Sequence, residues 1–256
     1  MLFVLSPAKT LDFSPTPEAL PTTAPEMRAD TAKLAKVTRA LKAADLRRMM
    51  DISDKLAELN VDRFKAFKPR ADEIGAPAAL TFAGDVYVGL SARTLDTDDL
   101  VWAQDHVRIL SGLYGILRPL DRIQAYRLEM GVRLATERGS NLYDFWGDKL
   151  SKALNKAARD QPDRTLVNLA SQEYFGAVDR QALKLPLVTC HFKQDSEGLL
   201  RNISFFSKNA RGLMARYAIE RRLEKPEDLK AFNVAGYGFR PDLSDATEWV
   251  FVRPHP

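Results

Sequence analysis

The chain is short of cysteine, of histidine and of long apolar stretches, and each shortage removes a class of function. Its one cysteine, Cys190, cannot close an internal disulfide, which fits a reducing cytosol rather than a secreted, disulfide-stapled scaffold. The three histidines, His106, His191 and His255, build no zinc spacing with that single thiol, so neither a metal centre nor a cofactor is expected. An all-oxygen site stays open, although Asp98-Asp99 is the nearest thing to a carboxylate cluster. Cys190 and His191 are neighbours in a predicted strand and point to opposite faces, so they form no thiolate pair. No run of about 18 apolar residues offers a membrane span. The apolar start, Met1 to Leu5, stops at Ser6-Pro7 without a basic flank, short of the roughly 7 to 15 residues that a signal peptide needs. A cytoplasmic protein without membrane contact is the expectation.

Charge of one sign is scarce overall and concentrated locally. Lys and Arg number 38 against 34 Asp and Glu, for a net charge of +4. Residues 207 to 222 hold Lys208, Arg211, Arg216, Arg221 and Arg222 against Glu220 alone, which carries as large an excess as the whole chain.

What is present predicts a single mixed α/β domain over residues 1–256, with a central sheet flanked by helices, because 256 residues at 45% hydrophobic content bury a large core and no linker-like break appears. Leu2 to Leu5, Thr165 to Leu169, Leu187 to Phe192, Asn202 to Phe206, Asn233 to Phe239 and Trp249 to Arg253 read as strands. Apolar residues at three-to-five-residue steps from Glu26 to Asn60 predict two amphipathic helices breaking near Ala44-Asp45. Helices are also predicted from Thr97 to Ile109, from Tyr143 to Arg159 and from Ser207 to Leu223. Ala79 to Phe82 and Val86 to Val88 read as strand or loop. The proline-rich stretch 14–25 reads as a surface arm, and no period of 20 to 50 residues signals a repeat protein.

Three stretches carry candidate chemistry. Ser6-Pro-Ala-Lys-Thr10 follows a strand and offers hydroxyls, backbone N–H groups and Lys9 to an anion such as phosphate, with Ser6, Lys9 and Thr10 as its binding residues. It lacks the glycines of a Walker loop, and a plain strand end with a solvated lysine is the alternative. Residues 102–122 suggest a helix-hairpin-helix, whose hairpin amides hold a DNA phosphate, with Gly112 and Gly115 in the hairpin and Arg108, Arg118 and Arg122 around it. Two residues separate those glycines where the motif has one, and glycines ending a helix before Pro119 would look the same. Lys208, Arg211 and Arg222 come to nearly one angle on the predicted basic helix, a phosphate-contacting face or a solvated one. Arg127, Glu129, Asn168, Ser171 and Glu173 supply groups for anion holding and acid–base work, or for ion pairs and turn caps.

Together these tracts resemble the bacterial YaaA peroxide-stress family. The resemblance rests on Ser6-Pro-Ala-Lys-Thr10, Ile52-Ser-Asp-Lys-Leu-Ala57, Gly84-Asp-Val-Tyr87, Leu110 to Asp121, Tyr126-Arg-Leu-Glu-Met-Gly131, Phe145-Trp-Gly-Asp148, Asn168-Leu-Ala-Ser171 with Glu173-Tyr-Phe175, and Ser207-Lys with Ala210-Arg-Gly-Leu-Met214. It implies a family-typical α/β fold with a helix-hairpin-helix, a basic cleft that binds DNA with little sequence preference, and a part in resisting hydrogen peroxide by limiting unincorporated iron. Ala125 departs from the pattern, since similar proteins often carry proline there.

Two hypotheses follow. The first is a monomeric stress protein that binds nucleic acid, double-stranded DNA before RNA, through Arg108, Gly112, Gly115, Arg118, Arg122, Lys208, Arg211 and Arg222. The second is an enzyme acting on a small anionic or nucleotide-like ligand where the Ser6–Thr10 and Asn168–Ser171 strand ends meet, with Lys9 and Arg127 holding the anion, Asn168 and Ser171 orienting it, and Glu129 or Glu173 as base.

Overall fold

Leu2–Leu5 (β1) is apolar at every position and fully buried, which places it inside a sheet covered on both faces. The computed structural model, which describes residues 1–17, 20–69, 71 and 74–254, puts it beside Leu166–Leu169 (β8) and Val107–Ser111 (β5), parallel to both. The sheet continues from β8 to Leu187–Ser196 (β9) and then to Glu248–Pro254 (β12), each step parallel. Gly238–Phe239 (β11) closes one edge and Gly115–Leu117 (β6) the other, both antiparallel, while Leu199–Arg201 (β10) forms a hairpin with β9. Two small ladders, Thr10–Leu11 (β2) with Phe82–Ala83 (β4) and Ala76–Pro77 (β3) with Arg122–Ile123 (β7), tie surface segments down.

Parallel strands need crossovers, and helices supply them. The expected pair of helices between Glu26 and Asn60 is three: Arg28–Arg39 (α1), Ala43–Met50 (α2) and Asp54–Ala66 (α3). Local capping makes the extra break. Asp51 turns left-handed at φ 49°, and the Ser53 hydroxyl accepts from Leu56 N at 3.4 Å to start α3. Ala78–Thr81 (α4) and Asp85–Leu90 (α5) are short helices where strand or loop was expected. Thr97–His106 (α6), Leu142–Trp146 (α7), Lys149–Ala157 (α8), Gln172–Phe175 (α9) and Ser204–Glu220 (α10) follow. The strand expected at Asn202 to Phe206 is instead the approach to α10 and its first turn.

The helix-hairpin-helix expected over 102–122 is not there. The helix stops at His106, and Val107–Ser111 and Gly115–Leu117 form a buried β-hairpin on β1. Five consecutive buried positions, Val-Arg-Ile-Leu-Ser, suit a central strand better than an amphipathic helix. The glycines serve packing. Gly115 has φ +73°, and a Cβ there would lie 2.7 Å from the Trp146 ring; at Gly112 it would run into the Leu128 carbonyl. Arg108 is itself buried and donates to the carbonyls of Gln104 and Val107, each at 2.9 Å.

Residues 18 and 19 of the 14–25 arm lie outside the described residues, as does His255. The arm's start is held by Arg93, which donates to the Ser14 and Pro15 carbonyls, and its end by Asp121, which is fully buried. Its carboxylate accepts from the Thr23 hydroxyl at 2.6 Å, the Arg118 amide at 2.8 Å and the Arg118 guanidinium at 2.9 Å. Asp121→Ala is therefore expected to cost about 2 to 4 kcal/mol, because it strands part-buried donors around a buried site. Urea unfolding would show it as a lower midpoint at unchanged slope, and an unchanged midpoint would contradict this role.

A candidate anion-binding cleft at the strand ends

β1 and β8 end side by side, and the residues after them clasp. Ser6 Oγ accepts from Ser171 N at 2.9 Å and donates to Ser171 Oγ at 3.3 Å, while Ser171 Oγ caps α9 through Tyr174 N. Tyr87 of α5 donates its buried hydroxyl to the Ser6 carbonyl at 3.0 Å. Above this floor opens a cleft of about 370 Å³, with Ser6 to Thr10 on one wall, Gly84 to Tyr87 on another, Ser171 to Tyr174 at the base and α10 across it. The carboxyl ends of parallel strands are where α/β sheets place ligands.

Lys9, Lys208 and Arg211 line the cleft, against the carboxylates Asp85 and Glu173. Lys9, exposed at its tip, reaches Glu129 at 3.2 Å; Glu129 also binds Arg127 at 2.7 Å. Glu173 is occupied on one oxygen by Gly131 N at 3.0 Å. Arg211 differs from its neighbours. It has no carboxylate partner, its Nε makes no hydrogen bond among the described residues, and burial pushes its pKa down. A desolvated cation without a counter-charge is costly, and a bound anion would relieve that cost.

The other expected site residues separate from this cleft. Asn168 is buried in β8, and its Oδ1 accepts from Ala170 N at 2.9 Å, so it shapes the strand end without lining the cleft. Among the described residues Arg127 connects to the cleft through Glu129, which also holds Lys9. Arg222 lies beyond the end of α10 in a left-handed turn and pairs with Asp99 at 2.6 Å, so the expected three-cation face reduces to Lys208 and Arg211. Arg216 is taken by Glu220 and Arg221 lies over the Tyr217 ring. Arg118 is held by Asp121, and Arg122 donates to Thr22 Oγ1 and the Gly75 carbonyl. Asp85, Tyr87 and Tyr174 join the site; in the sequence their only signals are the Gly84-Asp-Val-Tyr87 tract, which reads locally as strand or loop, and the Glu173-Tyr-Phe175 tract.

Burial beneath α10 pushes the Cys190 thiol up, and His191, on the opposite face of β9, meets Glu248. Ellman's reagent at mildly alkaline pH should therefore label Cys190 only as the protein unfolds. Labelling of the native protein at a free-thiol rate would contradict its burial.

Among the described residues no group of three or more His, Cys, Asp or Glu side chains gathers as metal ligands, and no helix is long and apolar enough to cross a membrane. Comparison with known proteins adds the family. A family model described as peroxide stress protein YaaA matches residues 1–243. A UPF0246 protein of Caulobacter sp. (strain K31) is 61% identical over 256 residues, the whole of both chains. Another, from Phenylobacterium zucineum (strain HLK1), is 62% identical over all of this chain and 96% of its own, and one from Dinoroseobacter shibae is 55% identical over 258 aligned residues. With the strand-end cleft built from the same tracts that carried the resemblance, the chain belongs to the YaaA peroxide-stress family.

Proposed function

We propose that this peroxide-stress protein binds nucleic acid, double-stranded DNA first, by laying a backbone phosphate into the strand-end cleft against Lys208, Arg211 and Lys9. The observation that carries this reading is the guanidinium of Arg211, desolvated and without a carboxylate partner among the described residues, in a cleft that opens beside two lysines. Contacts of this kind hold phosphates and read no bases, so affinity should be largely independent of sequence. In the cell such binding would shield DNA under peroxide, as the family's peroxide-stress description suggests, and a companion role in keeping unincorporated iron low is what the resemblance to the family implies. Titration of a labelled duplex across a salt series, read by anisotropy, tests it. Affinity should fall steeply and linearly on log–log axes, and absence of binding at low salt would overturn the reading.

One feature favours a second reading. Asp85 and Glu173 share the cleft with the three cations, and its size suits a small phosphate-bearing molecule. Such a ligand would meet anion holders and a carboxylate base in one place, as an enzyme acting on a nucleotide-like substrate requires. Calorimetric titration with nucleotides, in the absence of any duplex binding, would favour this alternative.

A further inference from the structure

Phe13, three residues beyond the Thr10 that lines the cleft, forms part of a second and more open groove of about 680 Å³. Its apolar wall is unusually exposed: Phe13 is 43%, Leu59 43% and Ile74 38% accessible, around a floor that includes the buried Phe67. One such side chain on a surface is ordinary, but three around one concavity mark a binding surface. At the same groove stands Arg63, half-buried on the last turn of α3. Among the described residues its guanidinium makes no hydrogen bond or ion pair, and the charge acting on it is another cation, Arg127. Glu129, the acid nearest Arg127, is already divided between Arg127 and Lys9.

An apolar wall with an exposed ring, ending in a guanidinium that has no counter-charge bound to it among the described residues, matches a ligand that carries a π-face and an anion on one scaffold. We propose that this groove seats one unpaired nucleotide, its base against Phe13, Leu59 and Ile74 and its phosphate on Arg63. Asp62, the groove's carboxylate, is exposed beside them as an acceptor for the N–H groups of a base edge. An alkyl carboxylate would satisfy Arg63 and the wall but would leave Asp62 as an unfavourable neighbour. The site is separate from the strand-end cleft and stands or falls without it.

The test uses 2-aminopurine, whose fluorescence is quenched by stacking, supplied as the 5′-monophosphate and within a short single-stranded DNA. Saturable quenching is expected with the full chain. Phe13→Ala and Arg63→Gln, each replacing a partly exposed group, should each weaken it about tenfold, in line with single base-stacking contacts. Lys208→Ala/Arg211→Ala should leave the quenching intact, which separates this site from the cleft. Quenching by the monophosphate alone identifies a free nucleotide as sufficient, and quenching only within the strand identifies nucleic acid as the source. No quenching with either probe would overturn the proposal. So would quenching indifferent to both groove variants, quenching lost only in the cleft variant, or displacement by decanoate but not by a mononucleotide.

Discussion

Replacing Lys208 and Arg211 together by alanine is expected to weaken duplex DNA binding roughly thirty- to a hundredfold near 0.1 M salt. Charge-assisted contacts contribute about 1.5 to 3 kcal/mol each, and the exposed Lys208 falls toward or below the lower end through solvent screening. The salt slope should drop by about 2, since each phosphate contact contributes about 0.9. The double variant should also fold normally. Lys208 is exposed, and Arg211→Ala removes a half-buried, desolvated cation that has no carboxylate partner among the described residues, so part of the lost packing is offset by the charge no longer being desolvated. Arg222→Ala makes the matching control. Its guanidinium is committed to Asp99, so DNA affinity should change little. Equal losses in the control and the double variant would show that net charge, not the cleft, drives binding.

The largest effect on stability is expected at Gly212. α10 and α5 cross with glycine on both sides, Gly212 under the Val86 carbonyl and Gly89 under the Asn209 carbonyl. A Cβ at Gly212 would collide with Val86 O and lie 2.6 Å from Leu90 N, and at Gly89 it would collide with Asn209 O. These neighbours are backbone, so neither contact can be relieved by a rotamer change. Gly212→Ala should cost about 3 kcal/mol or more, at the upper end of overpacking effects. It should also disturb DNA binding, because the same crossing holds Asp85 and Tyr87 opposite Lys208 and Arg211 across the cleft. Denaturant unfolding with a parallel DNA titration would check both, and a variant of unchanged midpoint would mean that the helices can separate without penalty.

The central strands were legible in the sequence because a strand buried on both faces is a short unbroken apolar run. Leu2–Leu5 is such a run and Leu166–Leu169 is one broken by Asn168 alone, and each ends in the small polar residues that line or shape the cleft. Val107–Ser111 was not legible. It follows helix Thr97–His106 without a turn residue, Arg108 interrupts its apolar run, and the glycines after it imitate a helix end. That arginine lies inside the fold by satisfying its guanidinium on backbone carbonyls, an arrangement no periodicity reveals. Lys208 and Arg211 were legible as a charged pair one turn apart. Angle alone could not show that Arg222 falls beyond the helix, because a 14-residue extrapolation assumes a helix that continues past Glu220. Arg63 was invisible for the opposite reason. In the sequence it sits among charged neighbours, and only the fold leaves it without an ion-pair partner among the described residues.

Hydrogen exchange of the wild-type protein with and without a duplex tests the central claim most directly, because it reports where the nucleic acid lies. The account predicts protection confined to peptides covering residues 6–10, 84–87 and 204–211, lost on raising the salt. Protection elsewhere, with those three segments exchanging as in the free protein, would contradict it.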